Sequence, residues 1–328
     1  MSLRRDRQHW LLAVAAGALA ATFLRPSIPV TRAEHEFIVV LDITQSMNVP
    51  DYRLDKQAVS RLEFAKQALR QTLPALPCGT KLGWGIFTEY RTLLLFTPVE
   101  VCANQRELLS SLEQIGGRMA WSGNSEVAKG LYGAIAIAKG LPSGPSVVFV
   151  TDGHEAPPLN PLHRPAFNGK PGEVRGMIVG AGGNTPAPIP KIDPDGKPLG
   201  FWKADEVMQS DAYSGGREGS LAGERLVETE TVAPSPPAFP KFAGGEHLSS
   251  RHEAYLQLLA AETGLGYHAL DDASSLTSAL LDQRLARAAE GSFDLRPLLG
   301  VLALAALVMT SIPSRRESYD EVGQLPDR

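Results

Sequence analysis

Apolar and polar positions alternate along this chain in two ways. Some apolar runs are short and continuous; others recur every three or four residues. Phe37-Ile-Val-Val-Leu41 is five consecutive apolar residues, β-branched at its centre, which predicts a strand buried on both faces. Ser146 to Val150 repeats that pattern, and Gly176 to Gly180 and Gly266 to Ala269 are shorter versions. Thr80 to Phe87 and Thr92 to Phe96 read as strands joined by a turn near Glu89 to Arg91. Between these runs lie helical spacings. Leu62, Ala65, Leu69 and Leu73 form one face from Arg61 until Pro74 ends it, and Leu108, Leu109 and Leu112 do the same between Asn104 and Ile115. Leu131, Ile135 and Ala138 follow Ser125, and further helices are expected over His252 to Glu262 and from Ala273 to about Ala288. Strands alternating with helices predict an α/β domain with a mostly parallel central sheet, one antiparallel edge strand at the hairpin, and helices on both faces.

The pattern weakens in three places, which sets the expected domain organisation. A Pro-rich loop spans Ala156 to Pro171, and Thr185 to about Gly245 is rich in Pro and Gly around the turn signal Asp193-Pro-Asp-Gly196. An insertion over about 182–248, holding a short hairpin and a long loop, is therefore expected within a domain covering 33–290. Residues 1–32 carry Arg4, Arg5 and Arg7 ahead of an uncharged run from Trp10 to Leu24. Fifteen residues make about 22 Å of helix against a hydrocarbon core of roughly 30 Å, so an uncleaved anchor and a signal peptide cleaved near Ala18-Leu-Ala20 are both open. From Pro297 to Ser314 the chain is uncharged for eighteen residues before Arg315 and Arg316, which predicts a transmembrane helix over 291–314 and a cytoplasmic tail over 315–328. The positive-inside rule places both basic clusters in the cytoplasm. The main domain is then expected on the periplasmic face of an inner membrane.

Composition adds two points. A net charge of −4 on 328 residues gives no hint of a nucleic-acid partner. The two cysteines, Cys78 and Cys102, each lie twelve residues from Tyr90 at the middle of the predicted hairpin. That symmetry suggests a disulfide across the hairpin ends, in keeping with an oxidising compartment; two separate buried thiols are the alternative.

Candidate chemistry gathers where the strands end. Leu41 is followed by Asp42-Ile-Thr44-Gln-Ser46-Met-Asn48, and Val150 by Thr151-Asp152-Gly153. Ser125 stands near a helix start in Trp121-Ser-Gly-Asn-Ser125-Glu126. Open α/β sheets place ligands at the carboxyl ends of their strands. Asp42, Thr44, Ser46, Ser125 and Asp152 are five oxygen donors from three loops, with no Cys or His among them. Such hard donors suit Mg²⁺ first, with Ca²⁺ or Mn²⁺ as alternatives. The competing reading is that these residues only end a strand and cap a helix.

At these residues the chain resembles the von Willebrand factor A domain, whose metal-ion-dependent adhesion site reads Asp-x-Ser-x-Ser with a distant Thr and a distant Asp. Thr44 stands here for the middle Ser and Ser125 for the Thr, so each position keeps a hydroxyl. The resemblance implies a Rossmann-like sheet and a non-enzymatic site in which a partner's Asp or Glu completes the coordination of the ion. His154, Glu155 and Asn48 are then expected on the partner-binding rim. Arg61-Leu-Glu-Phe-Ala-Lys66, the Gly180 to Pro190 stretch and Ala260-Ala-Glu-Thr-Gly264 look like the membrane-anchored bacterial Bat group over about residues 35 to 290. Within that group, Asp152-Gly-His-Glu-Ala-Pro-Pro158 and the membrane segments look most like methanol-oxidation accessory proteins of the MxaL type. That likeness implies a role in assembling, or inserting calcium into, periplasmic methanol dehydrogenase, alongside other such accessory proteins and a MoxR-type AAA ATPase. A general Bat-like scaffold in envelope stress is the alternative.

Two further readings are weaker. Ser46, Asp152 and His154 have the residue types of a hydrolase, but no Gly-x-Ser-x-Gly elbow surrounds Ser46. His154, Glu155 and His163 could form a second metal cluster, with a solvated loop as the plainer expectation. No Gly-x4-Gly-Lys-Ser/Thr loop occurs in the sequence, so any ATP-driven step by that route falls to a partner.

Overall fold

The computed structural model describes residues 2–159, 164–193, 196–209 and 245–311, with the side chains of 2–7, 31–32 and 289–292 excepted. His163, the Pro194-Asp195 turn centre, residues 210–244 of the insertion and the Arg315–Arg316 pair lie outside the described residues, as do the side chains of Arg4, Arg5 and Arg7. The chain divides into two compact units, Ala33–Arg287 and the paired termini 1–32 with 288–328.

The larger unit is built on a seven-stranded sheet. Its strands in chain order are β1 (Glu36–Asp42), β2 (Lys81–Thr88), β3 (Arg91–Leu94), β4 (Val99–Glu100), β5 (Ser146–Thr151), β6 (Gly176–Gly180) and β7 (Gly266–Ala269). Their spatial order is β7-β6-β5-β1-β2-β3, with β4 also pairing with β2. Every pair from β7 to β2 is parallel. The expected single antiparallel edge strand is in fact two short ones, because both β3 and β4 run antiparallel to β2, at its two ends. The chain leaves this edge through Cys78 and Cys102, which are joined by a disulfide with Cα atoms 5.3 Å apart.

Central β1 is buried on both sides because its residues feed two cores in alternation. Phe37, Val39 and Leu41 join Val148, Val150 and Trp84 under helices α1 (Arg61–Thr72), α2 (Gln105–Gln114) and α5 (Ala273–Leu280). Ile38 and Val40 join Val147, Phe149 and Ile178 under α3 (Val127–Gly140) and α4 (Glu253–Thr263). Each Val or Leu so buried contributes roughly 1.5–3 kcal/mol from transfer out of water. The continuous apolar run is thus the mark of a strand covered twice. One helix is shorter than expected: α5 stops at Leu280 rather than near Ala288. Asp282 caps a 3₁₀ turn over Gln283–Leu285, and Arg287–Asp294 is a strand.

In the terminal unit, helices Ser2–Thr22 and Arg296–Ser311 pack through the small side chains Ala15, Ala18, Ala303 and Ala306, and strand Ser27–Glu34 pairs with Arg287–Asp294. Leu298, Val301, Leu302, Leu304 and Val308 are exposed on the second helix. Among the described residues no helix is long and apolar enough to cross a membrane. The eighteen-residue span expected from Pro297 runs beyond the last described residue, and only the Arg296–Ser311 portion is a described helix.

Candidate metal-binding site

The topology fixes where the two loop carboxylates meet. From β1 the chain proceeds to β2 on one side, and from β5 to β6 on the other, while β1 and β5 are themselves neighbours. This is the point where strand order reverses, and loops leaving adjacent strands there part to open a crevice. In the parallel register Leu41 lies opposite Val150, which sets Asp42 beside Thr151 and brings Asp152 to the same strand ends one residue later. Both acids are completely buried.

Each carboxylate is held by its own surroundings. Asp42 Oδ1 accepts from Thr44 N at 2.9 Å, and Oδ2 from Thr151 Oγ1 at 2.6 Å. Asp152 Oδ1 accepts from Ser46 Oγ at 3.1 Å and from His154 N at 3.0 Å. Its Oδ2 accepts from Arg61 Nη1 at 2.6 Å and from Ser249 Oγ at 2.8 Å. The two acids therefore differ electrostatically. Burial first, and the charge of Asp152 second, push the Asp42 carboxyl up to about 7. Asp152 is equally buried, but the Arg61 guanidinium, helped by His154, holds its carboxyl below the usual range.

Three hydroxyls lie in front of these acids. Thr44, Ser46 and Ser125 line one cavity of about 250 Å³, with His154 on its wall; Asp42 and Asp152 stand behind the lining. Thr44 Oγ1 and Ser46 Oγ are 3.3 Å apart. Neighbouring oxygens around an octahedral ion with bonds of 2.0–2.1 Å are about 2.9 Å apart, so the spacing of Thr44, Ser46 and Asp152 is close to a shared coordination edge. Ser125 Oγ is buried and has no hydrogen-bond partner among the described residues. An unpartnered buried hydroxyl in a cavity backed by two buried carboxylates is what a hard cation would satisfy. The donor set fits such an ion.

Ser125 reaches the cavity because its loop is fastened to the one following β5. Ser125 N and Ala156 O, and Ala156 N and Ser125 O, bond at 2.6 and 2.7 Å. The Glu155 carboxylate receives Val127 N at 2.9 Å, Ala128 N at 3.0 Å and Tyr255 Oη at 2.5 Å. This corrects the expected rim. Glu155 is buried and caps the first turn of α3, where the helix leaves its amides unpaired, so neither of its oxygens is offered to a partner. Burial pushes its carboxyl up to about 8 despite these donors. His154 is buried too but does line the cavity, with Nδ1 unpartnered among the described residues; burial lowers it to about 4. Asn48 is half-buried and lies outside the cavity lining.

The hydrolase constellation is not assembled. Ser46 donates to Asp152 directly, and Asp152 receives the backbone of His154 rather than its ring, so no imidazole stands between acid and hydroxyl. The His154 ring packs 5.7 Å from that of His252. Trp84 is buried in the core, donating to Leu108 O, whereas Trp121 is exposed and donates to Glu89.

Several functional neighbours were not foreseen. Arg61 is fully buried, pairing with Asp51 as well as Asp152 and donating to Ser249 O at 3.0 Å. In the sequence it opens the Arg61-Leu-Glu-Phe-Ala-Lys66 stretch that resembles the Bat group and lies in the capping box Ser60-Arg-Leu-Glu63, in which Ser60 accepts from Glu63 N, but neither signal points to Asp152. The insertion also reaches the site: Ile189, Trp202, Glu206, Met208 and Glu246 line the same cavity, and Trp202 Nε1 bonds Gln45. Nothing in a Pro- and Gly-rich stretch announces that contact.

No protein-family model and no curated protein matches the sequence. Among solved structures, the chain is similar to an aerotolerance-related membrane protein from Bacteroides fragilis, at 19% identity over 76% of this chain and 98% of that one, TM-score 0.47. It is also similar to BatB from Bacteroides thetaiotaomicron, at 16% identity over 76% and 96%, TM-score 0.46. The manganese-loaded TRAP protein of Plasmodium vivax is similar at 11% identity over 82% of each chain, TM-score 0.38. At these values the likenesses carry no functional assignment.

Proposed function

We propose that this chain is a membrane-attached, von Willebrand A-like module that binds a divalent cation and, through it, an acidic residue of another protein. The observation that carries the reading is the convergence of Thr44, Ser46 and Ser125 on one cavity, backed by Asp42 and Asp152, with Ser125 Oγ buried and unpaired among the described residues. Thr44, Ser46 and Ser125 would be the neutral donors. Asp42 and Asp152 would supply negative charge behind them, and Arg61 sets how much of the Asp152 charge remains. When bound, the ion supplies a Lewis-acidic point able to take a carboxylate, a contact that strengthens as water is excluded. Mg²⁺ is the ion these hard donors suit first, with Ca²⁺ or Mn²⁺ as alternatives.

Membrane attachment is supported by the apolar residues exposed along Arg296–Ser311 and by the alanine seam against Ser2–Thr22, since exposed apolar surface of this kind requires cover. We place the main unit in the periplasm on the basic flanks of the sequence. The partner we propose is periplasmic methanol dehydrogenase, in an assembly or calcium-insertion role with a MoxR-type ATPase, and this finer reading rests on the sequence resemblance. The test is calorimetric titration of the full chain in detergent with Mg²⁺, Ca²⁺ and Mn²⁺, followed by binding of purified methanol dehydrogenase with cation or with chelator. Cation binding lost in Asp42→Asn supports the site, and cation-dependent dehydrogenase binding supports the role. Equal dehydrogenase binding in chelator would move the protein to the general scaffold reading.

A further inference from the structure

The cavity over the three hydroxyls is lined by two acidic residues, Glu206 and Glu246, both from the insertion, and they are in opposite states. Glu206 is satisfied: its carboxylate pairs with Lys191 at 2.9 Å and accepts from Lys203 N at 3.1 Å. Glu246 is half-buried, and among the described residues its carboxylate has neither a hydrogen bond nor an ion pair. Burial alone pushes it up to about 7. A carboxylate withdrawn from water without a donor is costly unless something positive is meant to stand near it. Within the same cavity, Ser125 Oγ is buried and has no partner among the described residues.

The segment bearing Glu246 is held in place rather than draped. Ile189 N bonds His247 O at 3.1 Å, the strands Ala187–Pro188 and Leu248–Ser249 pair, and Ser249 Oγ reaches Asp152 at 2.8 Å. Glu246 thus stands three residues before a serine that touches the site's own acid. Gly245 N and Glu246 N both bond Gln209 Oε1, which fixes the backbone on the other side.

We infer that Glu246 is a further ligand to the cation of this site, filling from within the chain the position that a partner's acidic residue would take. The inference rests on the cation site proposed above. It gives the insertion a function: the site is self-closed, and an acidic partner binds by displacing Glu246. Ligation would also account for an otherwise uncompensated carboxylate.

The test uses the full chain in detergent with Mn²⁺ as probe, comparing wild type with Glu246→Ala, Glu246→Gln and Glu206→Ala. Two quantities are read: the Mn²⁺ dissociation constant by calorimetry, and the number of water molecules on bound Mn²⁺ by proton relaxation. The expected result is at least tenfold weaker binding in Glu246→Ala with one more water on the ion, and no change in water number in Glu206→Ala. Glu246→Gln, which keeps the side-chain volume, should retain the fold and still weaken binding. Wild-type affinity and water number in both Glu246 variants would overturn the inference while leaving the site intact. No Mn²⁺ binding by wild type, or undiminished binding in Asp42→Asn, would remove the site itself and the inference with it.

Discussion

Arg61 Nη1 and Asp152 Oδ2 lie 2.6 Å apart with both side chains fully buried. Because the same guanidinium also grips Asp51, it ties together the segment after β1, the end of β5 and Ser249 just after the insertion. Removing one partner of a buried ion pair leaves the other charged and without water, which costs about 3–5 kcal/mol. Arg61→Met should therefore lower the unfolding free energy by that order in urea titration at neutral pH. Adding Asp152→Asn should recover part of the loss, since the two residues are coupled. A double variant no more stable than Arg61→Met would show that Asp51, not Asp152, dominates.

Gly182 is the backbone counterpart of that pair. Its φ is +106°, and a Cβ added there would sit 2.7 Å from Arg61 Nε and 2.8 Å from Cζ. Gly182→Ala combines backbone strain with displacement of the guanidinium. A loss of about 2–4 kcal/mol is expected from these two costs together, measured by the same titration.

Asp42 is the residue whose removal separates stability from binding. Its carboxyl is raised to about 7 from an ordinary 3.8, so protons favour the folded state. The stability it contributes is fully present below 3.8 and is lost as pH rises through about 7. Asp42→Asn removes this dependence and should raise the melting temperature of the cation-free protein at pH 8 while abolishing the rise that Mg²⁺ produces in wild type. In wild type that rise should be larger at pH 8 than at pH 5.5, because protons compete with the ion. Thermal melts at both pH values, with cation and with chelator, check both statements.

Glu155 links the α3 start to the loop carrying His154. Glu155→Ala leaves Val127 N and Ala128 N without their acceptor, and buried donors left unpaired cost about 1–3 kcal/mol each before relaxation. The expected outcome is a clear loss of stability and faster hydrogen exchange at the Val127 and Ala128 amides. Its pH signature shares the sign of Asp42 but runs higher: the contribution is present below 4.5 and lost as pH rises through about 8.

Cys78 and Cys102 close the antiparallel edge. Cross-linking a loop of 24 residues contributes roughly 3 kcal/mol, so Cys78→Ser should shift the urea midpoint downward by a corresponding amount. Cation affinity should be unaffected, since neither cysteine is part of the cavity lining.

Much of this protein was written in local sequence. Phe37 to Leu41 and Ser146 to Val150 declared doubly covered strands, because only such strands lack polar alternation, and the strand ends then located Asp42 and Asp152. Periodicity located the helices, though not the end of α5, where a cap at Asp282 outweighed the apolar spacing. Tertiary structure alone decided what each polar group faces. Glu155 and His154 are adjacent in sequence, yet one is consumed by helix amides and the other faces the cavity; a loop's side-chain directions are set by what packs against it. Arg61 and Ser249 meet Asp152 across 91 and 97 residues of sequence, and no local signal encodes a partner that far away. The described part of the insertion carried turn residues and little periodicity, so its place at the site, with Trp202 on Gln45 and Glu246 lining the cavity, was determined by contacts with the loops that follow β1 and β5 rather than by any pattern of its own.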